Sequence, residues 1–187
     1  SDRDLALCGL NIFRYGFMSW APTYMFEEQG AEISLAAYKA IAFPVAGGLG
    51  AIFAGWASDH IFKHRRAPIA FIMLLLLAAS CYLYRIVPGA NWVLSLVILL
   101  FIGFFTFGPH ILLVAALPAD LGTRKTASSV TGFINAFGYV GASLTGVGTG
   151  YLIDNYSWDA AFYFWIFGAV FAAIMILFVW KAELKRS

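Results

Sequence analysis

Charged residues are scarce in this chain, where Asp, Glu, Lys and Arg make up only 12% of 187 residues. A soluble globular domain typically carries about 25% charged residues, so this composition excludes an ordinary soluble protein. Hydrophobic residues make up 61% of the sequence, and its mean hydropathy is +0.80. The net charge is +2, with the positive residues in short loops, so a nucleic-acid partner is not expected. The composition predicts an all-α membrane protein with several spans.

Cysteine is also scarce, since Cys8 and Cys81 are far apart and both lie in apolar runs. They are interpreted as small packing residues, so neither a disulfide nor a metal site is expected. The sequence has no Ser-His-Asp set, carboxylate pair, Walker loop or metal-ligand spacing, so we expect neither an enzyme nor a cofactor. The start of the chain does not resemble a cleaved signal peptide. The chain opens on Ser1 with no Met, so we expect it to be part of a longer protein.

Six long apolar runs predict six transmembrane helices. Each run is long enough to cross a bilayer, which takes roughly 20 helical residues. The runs are too evenly apolar for the alternating strands of a membrane barrel. The predicted spans are Leu5–Met25, Ala36–Ala57, Ala67–Val87, Trp92–Leu117, Ala127–Ile153 and Ala160–Trp180.

Positive residues gather on one side of these six spans. That side has the N-terminus, the second and fourth loops and the tail, with Arg3, Lys63, Arg65, Arg66, Arg124, Lys125, Lys181, Lys185 and Arg186. The opposite side has only Lys39 and Arg85, of which Lys39 is interpreted as an anchor that snorkels to the outer interface. The positive-inside rule therefore predicts a multi-pass protein of the cell membrane (inner or plasma) with both termini of this segment in the cytoplasm.

Three kinds of span follow one another in the same order twice along the chain. The first and fourth contain unusual polar residues, the second and fifth have a small residue at every fourth position, and the third and sixth are uniformly apolar. The small stripes are Ala46, Gly50, Ala54 and Ser58 in one span, and Gly138, Ala142, Gly146 and Gly150 in the other. Such stripes allow helix backbones to approach closely, and we expect these two to face a partner outside the chain. The order predicts two inverted three-helix repeats, an arrangement typical of transporters.

Arg14 lies in the middle of the first span, about 15 Å from either end at 1.5 Å per residue. Its guanidinium stays charged, and at this depth the charge costs about 2.5 kcal/mol or more unless it faces protein or water. A planar cation away from bulk water can hold a phosphate through two parallel hydrogen bonds. The alternatives are a snorkelling side chain, which the depth disfavours, or a carboxylate partner, which no span supplies.

Three further polar residues of the spans are candidates for the same site. His110 follows Pro109 in the middle of the fourth span, where it could contact a substrate, move protons, or simply form a hydrogen bond in the packing. Tyr139 could donate its hydroxyl to a phosphate oxygen or to another helix. Asn135 lies one turn before Tyr139 and can share its face.

Several segments together resemble one family. The turn Gly55–Arg66 resembles the Gly-x-x-x-Asp signature with following arginines of major facilitator transporters. The stretch Arg14–Tyr24 is more specific and resembles the seventh helix of the organophosphate:phosphate antiporters, most of all the glycerol-3-phosphate branch. The segments Gly103–Pro109 and Phe137–Gly141 are similar to helices ten and eleven, and Ser157–Phe162 to the last outer loop.

The resemblance covers nearly the whole chain and implies the C-terminal half of a twelve-helix major facilitator fold, with helices seven to twelve. It implies a phosphate site between two halves, where Arg14 is one of two gripping arginines and Tyr139 faces the cavity. The other arginine would come from the N-terminal six-helix half, which is a partner absent from this sequence. Asn11 and Phe107 stand where the glycerol-3-phosphate branch has tyrosines, and Pro44 where it has a glutamate, which leaves the exact substrate open.

The resemblance implies secondary transport of an organic phosphate, such as glycerol-3-phosphate, in exchange for inorganic phosphate. The two halves would rock around a site with Arg14, Tyr139, His110, Asn11, Phe107 and Asn135 as substrate-binding residues. Asp59, Arg65 and Arg66 are predicted to form a conformational latch against the other half. Two alternatives remain, a transporter-like receptor that senses a sugar phosphate and a membrane scaffold without a ligand.

Overall fold

The computed structural model describes residues 2–30, 32–62, 65–88, 91–120, 139 and 142–184. Within this part of the chain there are six helices and no strand, so the predicted all-α fold is confirmed. The helices are α1 Asp2–Glu27, α2 Ile33–His60, α3 Arg66–Ile86, α4 Trp92–Asp120, α5 at 142–155 and α6 Trp158–Leu184. The first part of the fifth predicted span lies largely outside the described residues.

Four of these helices are long and apolar enough to cross a membrane: Ser34–His60, Arg66–Ile86, Trp92–Val114 and Trp158–Lys181. The helix α1 is not one of the four, although its 26 residues correspond to a length of about 39 Å. Polar side chains such as Asn11 and Arg14 lower its hydropathy relative to the other helices. Four apolar helices of this length make the chain a multi-pass membrane protein.

The helix contacts follow the predicted repeat. Helix α1 packs on α6 and α4 packs on α3, while α3 and α6 contact each other. If α1, α2 and α3 exchange places with α4, α5 and α6, the contact of α1 with α6 becomes the contact of α4 with α3. The contact of α2 with α4 likewise corresponds to that of α5 with α1, where Trp20 Nε1 donates to the carbonyl oxygen of Gly146 at 3.2 Å.

An aromatic cluster fixes α1 against α3 and α6. The Phe17 ring lies 5.6 Å from that of Trp165 and 5.9 Å from that of Tyr84, both centroid to centroid and edge to face. Gly16 makes room for this cluster, because a Cβ at that position would overlap the indole of Trp165. The packed aromatic face of α1 therefore sets the helix rotation, and with it the direction of Arg14.

The small-residue stripe of α2 has its partner inside this bundle, so the prediction that it faces a missing partner is wrong, while Gly138 of the α5 stripe lies outside the described residues. Gly50 lies directly against the backbone of Phe104 in α4, and Ala54 lies beside Gly108. In α5, Gly150 packs against the indole of Trp20. Small residues permit the close approach as expected, but the helices that approach are α4 and α1 of this same chain.

A different face of α2 is left uncovered. Its large apolar side chains recur every three or four residues and are exposed: Tyr38, Ile41, Val45, Leu49, Ile52 and Trp56. We refer to these six residues as the α2 stripe. Such spacing places them on one side of a helix, opposite the small residues that pack on α4.

Candidate functional site

Arg14 of α1 reaches across the bundle to His110 of α4. Its Nη1 atom lies 2.9 Å from His110 Nε2, although the two residues are 96 positions apart in the sequence. Both side chains are partly buried. Within the part of the chain that the structure describes, no carboxylate forms an ion pair with Arg14. The partner of this cation is therefore an imidazole, which the sequence analysis considered only as a separate candidate.

Two aromatic rings enclose the guanidinium. Its central carbon lies 4.8 Å from the centroid of the Phe107 ring and 5.4 Å from that of Tyr15. A cation within about 6 Å of a ring face is attracted by the ring quadrupole. Phe107 is itself held by an edge-to-face contact of 5.9 Å with Phe43 and by Gly47, whose missing side chain leaves room for the ring.

The rotation of α4 places Phe107 and His110 on the same side of the helix. They are three residues apart and therefore neighbours on the helix surface. Gly103 lies against the backbone of Phe43 and Gly108 against the side chain of Met73, so α2 and α3 both approach α4 closely. These two glycines fix α4 in the bundle and turn the Phe107–His110 edge toward α1.

Two polar atoms beside the Arg14–His110 contact have no hydrogen-bond partner among the described residues. They are the Nε donor of Arg14 itself and the Oδ1 acceptor of Asn11, which is one turn earlier in α1, and both atoms are buried. A buried polar group without a partner costs roughly 1–3 kcal/mol, which makes such atoms uncommon in folded proteins. Arg14 thus retains a donor that an anion could use.

Tyr139 lies farther from the guanidinium and contacts the site through Tyr15. The two tyrosine rings are 6.2 Å apart between centroids, and Tyr139 is 65% exposed. Asn135 lies outside the described residues. The structure therefore brings Arg14, His110 and Phe107 together directly, places Asn11 one turn away, and adds Tyr15, which the sequence analysis gave no role. The sequence signal that could have identified Tyr15 is its position directly after Arg14.

A second polar cluster lies around Lys39, near the N-terminal end of α2. This side chain is only 2% exposed, so its interpretation as a snorkelling anchor is wrong. Lys39 Nζ donates to Ser95 Oγ at 3.2 Å and to Gln29 Oε1 at 3.4 Å, and Ser95 Oγ and Tyr84 OH donate to the same amide oxygen at 3.2 and 3.3 Å. The cluster joins the ends of α1, α2, α3 and α4.

The predicted latch residues lie at the connection between α2 and α3. Asp59 and Arg65 are exposed, and Arg66 is partly buried as the first residue of α3. Among the described residues, no group of three or more His, Cys, Asp or Glu side chains could hold a metal ion.

Comparison with known proteins assigns the family. Residues 5–187 match the Major Facilitator Superfamily. The chain is 30% identical over 182 residues to the glycerol-3-phosphate transporter of Bacillus subtilis, a match that covers 95% of this chain and 40% of that protein. It is also 30% identical over 185 residues to the membrane sensor protein UhpC of Escherichia coli, covering 98% and 42% of the two chains.

A eukaryotic relative is similar as well. The mouse glucose-6-phosphate exchanger SLC37A2 is 32% identical over 200 residues, covering 98% of this chain and 39% of that protein. The chain thus spans about two fifths of the length of the curated relatives that it matches. Its six helices, the match over residues 5–187 and these relatives agree: the chain belongs to the Major Facilitator Superfamily and matches a C-terminal half of the organophosphate:phosphate antiporter type.

Proposed function

We propose that this chain is one half of a secondary transporter that exchanges an organic phosphate for inorganic phosphate, and that Arg14 binds the phosphate. The observation that carries the proposal is the Arg14 guanidinium, partly buried among apolar helices with a neutral partner and an unpaired Nε donor. Without a carboxylate, its positive charge is not compensated by the described residues. An anion with several oxygens is the ligand that such a group favours.

The residues around Arg14 support an anion in this position. Phe107 and Tyr15 place apolar rings next to the guanidinium, and its attraction to a negative charge is stronger in such a low-dielectric setting than in water. His110 can donate a further hydrogen bond once it is protonated, and Asn11 offers an amide N–H to a phosphate oxygen. Tyr139 and Asn135, which precede α5 in the sequence, are proposed as further substrate contacts, with the Tyr139 hydroxyl as a donor to a phosphate oxygen.

A second six-helix half is the proposed partner of this chain. The α2 stripe presents six large apolar side chains that nothing in the described residues covers, and Leu144 and Val147 of α5 are similarly exposed. Apolar faces on two helices that also flank the Arg14 site suit an interface with the N-terminal half. That half would supply a second arginine opposite Arg14, and the two halves would rock around the bound phosphate to give alternating access.

Glycerol-3-phosphate or a related phosphate ester is the proposed substrate. The relatives named glycerol-3-phosphate transporter and glucose-6-phosphate exchanger support a phosphate ester as the class. Both termini of this segment are proposed to lie on the cytoplasmic side of the cell membrane, because lysine and arginine are concentrated on that side of the predicted spans. The proposed function is binding and movement of the ester, without an enzymatic step.

Counter-flow in vesicles tests the exchange. The full-length protein that contains this chain is reconstituted in liposomes loaded with inorganic phosphate, and labelled glycerol-3-phosphate is added outside. Exchange predicts uptake of the label that depends on internal phosphate and is lost in Arg14→Ala. Labelled-ester uptake that is equal in empty and phosphate-loaded vesicles would contradict an exchange mechanism.

A sensor of sugar phosphate is the second candidate, favoured by the similarity to the membrane sensor protein UhpC. The same site would then bind the ester without efficient movement of it. Binding of glucose-6-phosphate in detergent without counter-flow in liposomes would support the sensor, whereas counter-flow supports the transporter.

A further inference from the structure

The contact between Arg14 and His110 fixes the protonation state of the histidine. A guanidinium carries only donors and stays protonated at any biological pH. At the 2.9 Å separation of Arg14 Nη1 and His110 Nε2, the guanidinium N–H must donate and the imidazole nitrogen must accept. His110 therefore has an unprotonated Nε2 and is neutral in this arrangement.

Among the described residues, the charged side chain in contact with His110 is Arg14 of α1. Tyr15 and Phe107 complete the surroundings of the guanidinium as aromatic rings. From the neighbouring helices, α2 presents Gly47 and α3 presents Met73 next to the same turns of α4. A carboxylate that could hold a proton on the imidazole is absent from these described contacts.

From this geometry we infer that an anion bound at Arg14 takes up a proton at His110. The inference rests on the proposed phosphate site. A phosphate oxygen that accepts from Arg14 takes the place of the imidazole nitrogen as its partner. One proton from solution then adds to His110 Nε2, and the new N–H donates to the phosphate; no covalent bond of the protein or of the ester breaks.

The lone pair of His110 Nε2 supports the proton. Once a phosphate oxygen accepts from Arg14 in its place, an unprotonated Nε2 would face another acceptor, whereas a proton on Nε2 lets it donate to that oxygen. In a low-dielectric interior an uncompensated charge is costly, whereas a dianion between two cations is stabilised by both. Without the anion the two cations would repel each other at this distance, so protonation of His110 is linked to occupation of the site.

This linkage makes ligand binding sensitive to pH through His110 and not only through the phosphate. Free histidine has a pKa of about 6.5, and the second ionisation of a phosphate ester has a pKa of about 6. At pH 8 the ester is thus almost entirely a dianion, and His110 is neutral as long as it accepts from Arg14. Any proton bound together with the ester at pH 8 must be taken from the solution.

Proton uptake can be measured by titration calorimetry of the full-length protein with glycerol-3-phosphate at pH 8. Two buffers with different ionisation enthalpies give the number of protons bound per ester. We expect uptake that approaches one proton per ester in the parent protein. The variant His110→Gln retains an N–H donor but cannot titrate, and we expect weaker binding without uptake.

Each result decides between the possibilities. Equal uptake in the parent and in His110→Gln would place the proton on a group other than His110 and overturn the inference, as would binding to the parent without uptake. Sulfate, which remains a dianion in this pH range, gives the same test in the parent protein without a substitution. If neither anion binds, the proposed phosphate site is wrong and so is the inference that rests on it. If an anion binds without proton uptake, only the inference is wrong.

Discussion

Gly50 of α2 lies directly against the backbone of Phe104 in α4, so that a Cβ at position 50 would stand 2.8 Å from the Cα of Phe104. Backbone atoms cannot move aside as a flexible side chain can. This contact is the closest approach of α2 to α4 among the described glycines, and it holds the helix that carries Phe107 and His110 in place.

The variant Gly50→Ala is therefore expected to destabilise the bundle. Overpacking of a well-packed contact costs typically about 1–3 kcal/mol, and the helices must separate to accommodate the methyl group. Thermal unfolding in detergent measures the effect as a lower midpoint than that of the parent.

Gly48→Ala is the matched control, because a Cβ at Gly48 meets nothing within 4 Å. Alanine favours a helix over glycine by about 1 kcal/mol, so this variant should be as stable as the parent or more stable. Equal destabilisation by both substitutions would contradict the α2–α4 contact.

The Lys39 cluster gives a second prediction about stability. Gln29 Oε1 accepts from Lys39, Tyr84 and Ser95, so Gln29→Leu leaves three donors without this acceptor. A buried donor without a partner costs about 1–3 kcal/mol. We expect a clear fall in the unfolding midpoint.

Lys39→Met provides the contrast within the same cluster. It removes a buried charge and keeps the bulk of the side chain, while Gln29 Oε1 still accepts from Tyr84 and Ser95. Replacement of a buried charge by an apolar group of similar size is often neutral or stabilising. The midpoint of Lys39→Met should therefore stay at or above that of the parent, and a larger loss than in Gln29→Leu would refute this role of the amide.

The sequence predicted where the helices lie better than it predicted which helices contact each other. Length and hydropathy indicate where a helix lies, and they placed Arg14 in the middle of α1. A small-residue stripe such as that around Gly50 indicates a close approach, but it does not say which helix approaches. The sequence therefore predicted the closeness correctly and the partner wrongly.

The candidate site was predictable in its residues but not in its contacts. Arg14, Phe107 and His110 were each identified, yet the Arg14–His110 hydrogen bond joins residues 96 positions apart and depends on how α1 and α4 rotate. Lys39 was misread because a lysine near a span end usually reaches water. Its acceptors come from two other helix ends, which the sequence does not bring together.

Asp59 tests the proposed latch at the connection between α2 and α3. A carboxylate that faces a helix N-terminus of the other half gains about 0.3–1 kcal/mol when exposed. Asp59→Asn should shift the balance between the open states and slow exchange in liposomes, while phosphate affinity in detergent stays unchanged. Weaker binding with an unchanged conformational balance would argue against a latch.

Arg14 is the proposed phosphate ligand, and Arg14→Lys tests this role without loss of charge. Lysine lacks the planar fork of the guanidinium, so a two-pronged contact with phosphate is lost. Loss of one charge-assisted hydrogen bond costs roughly 1.5–3 kcal/mol, which corresponds to about one to two powers of ten in affinity.

The decisive measurement is the affinity of the full-length parent and Arg14→Lys for phosphate and glycerol-3-phosphate in detergent, with the unfolding midpoint recorded on the same samples. If Arg14 binds the phosphate through its planar fork, Arg14→Lys unfolds at the parent's temperature and loses most of its binding of both ligands. Binding of both ligands by Arg14→Lys with the parent's affinity would contradict this role of Arg14.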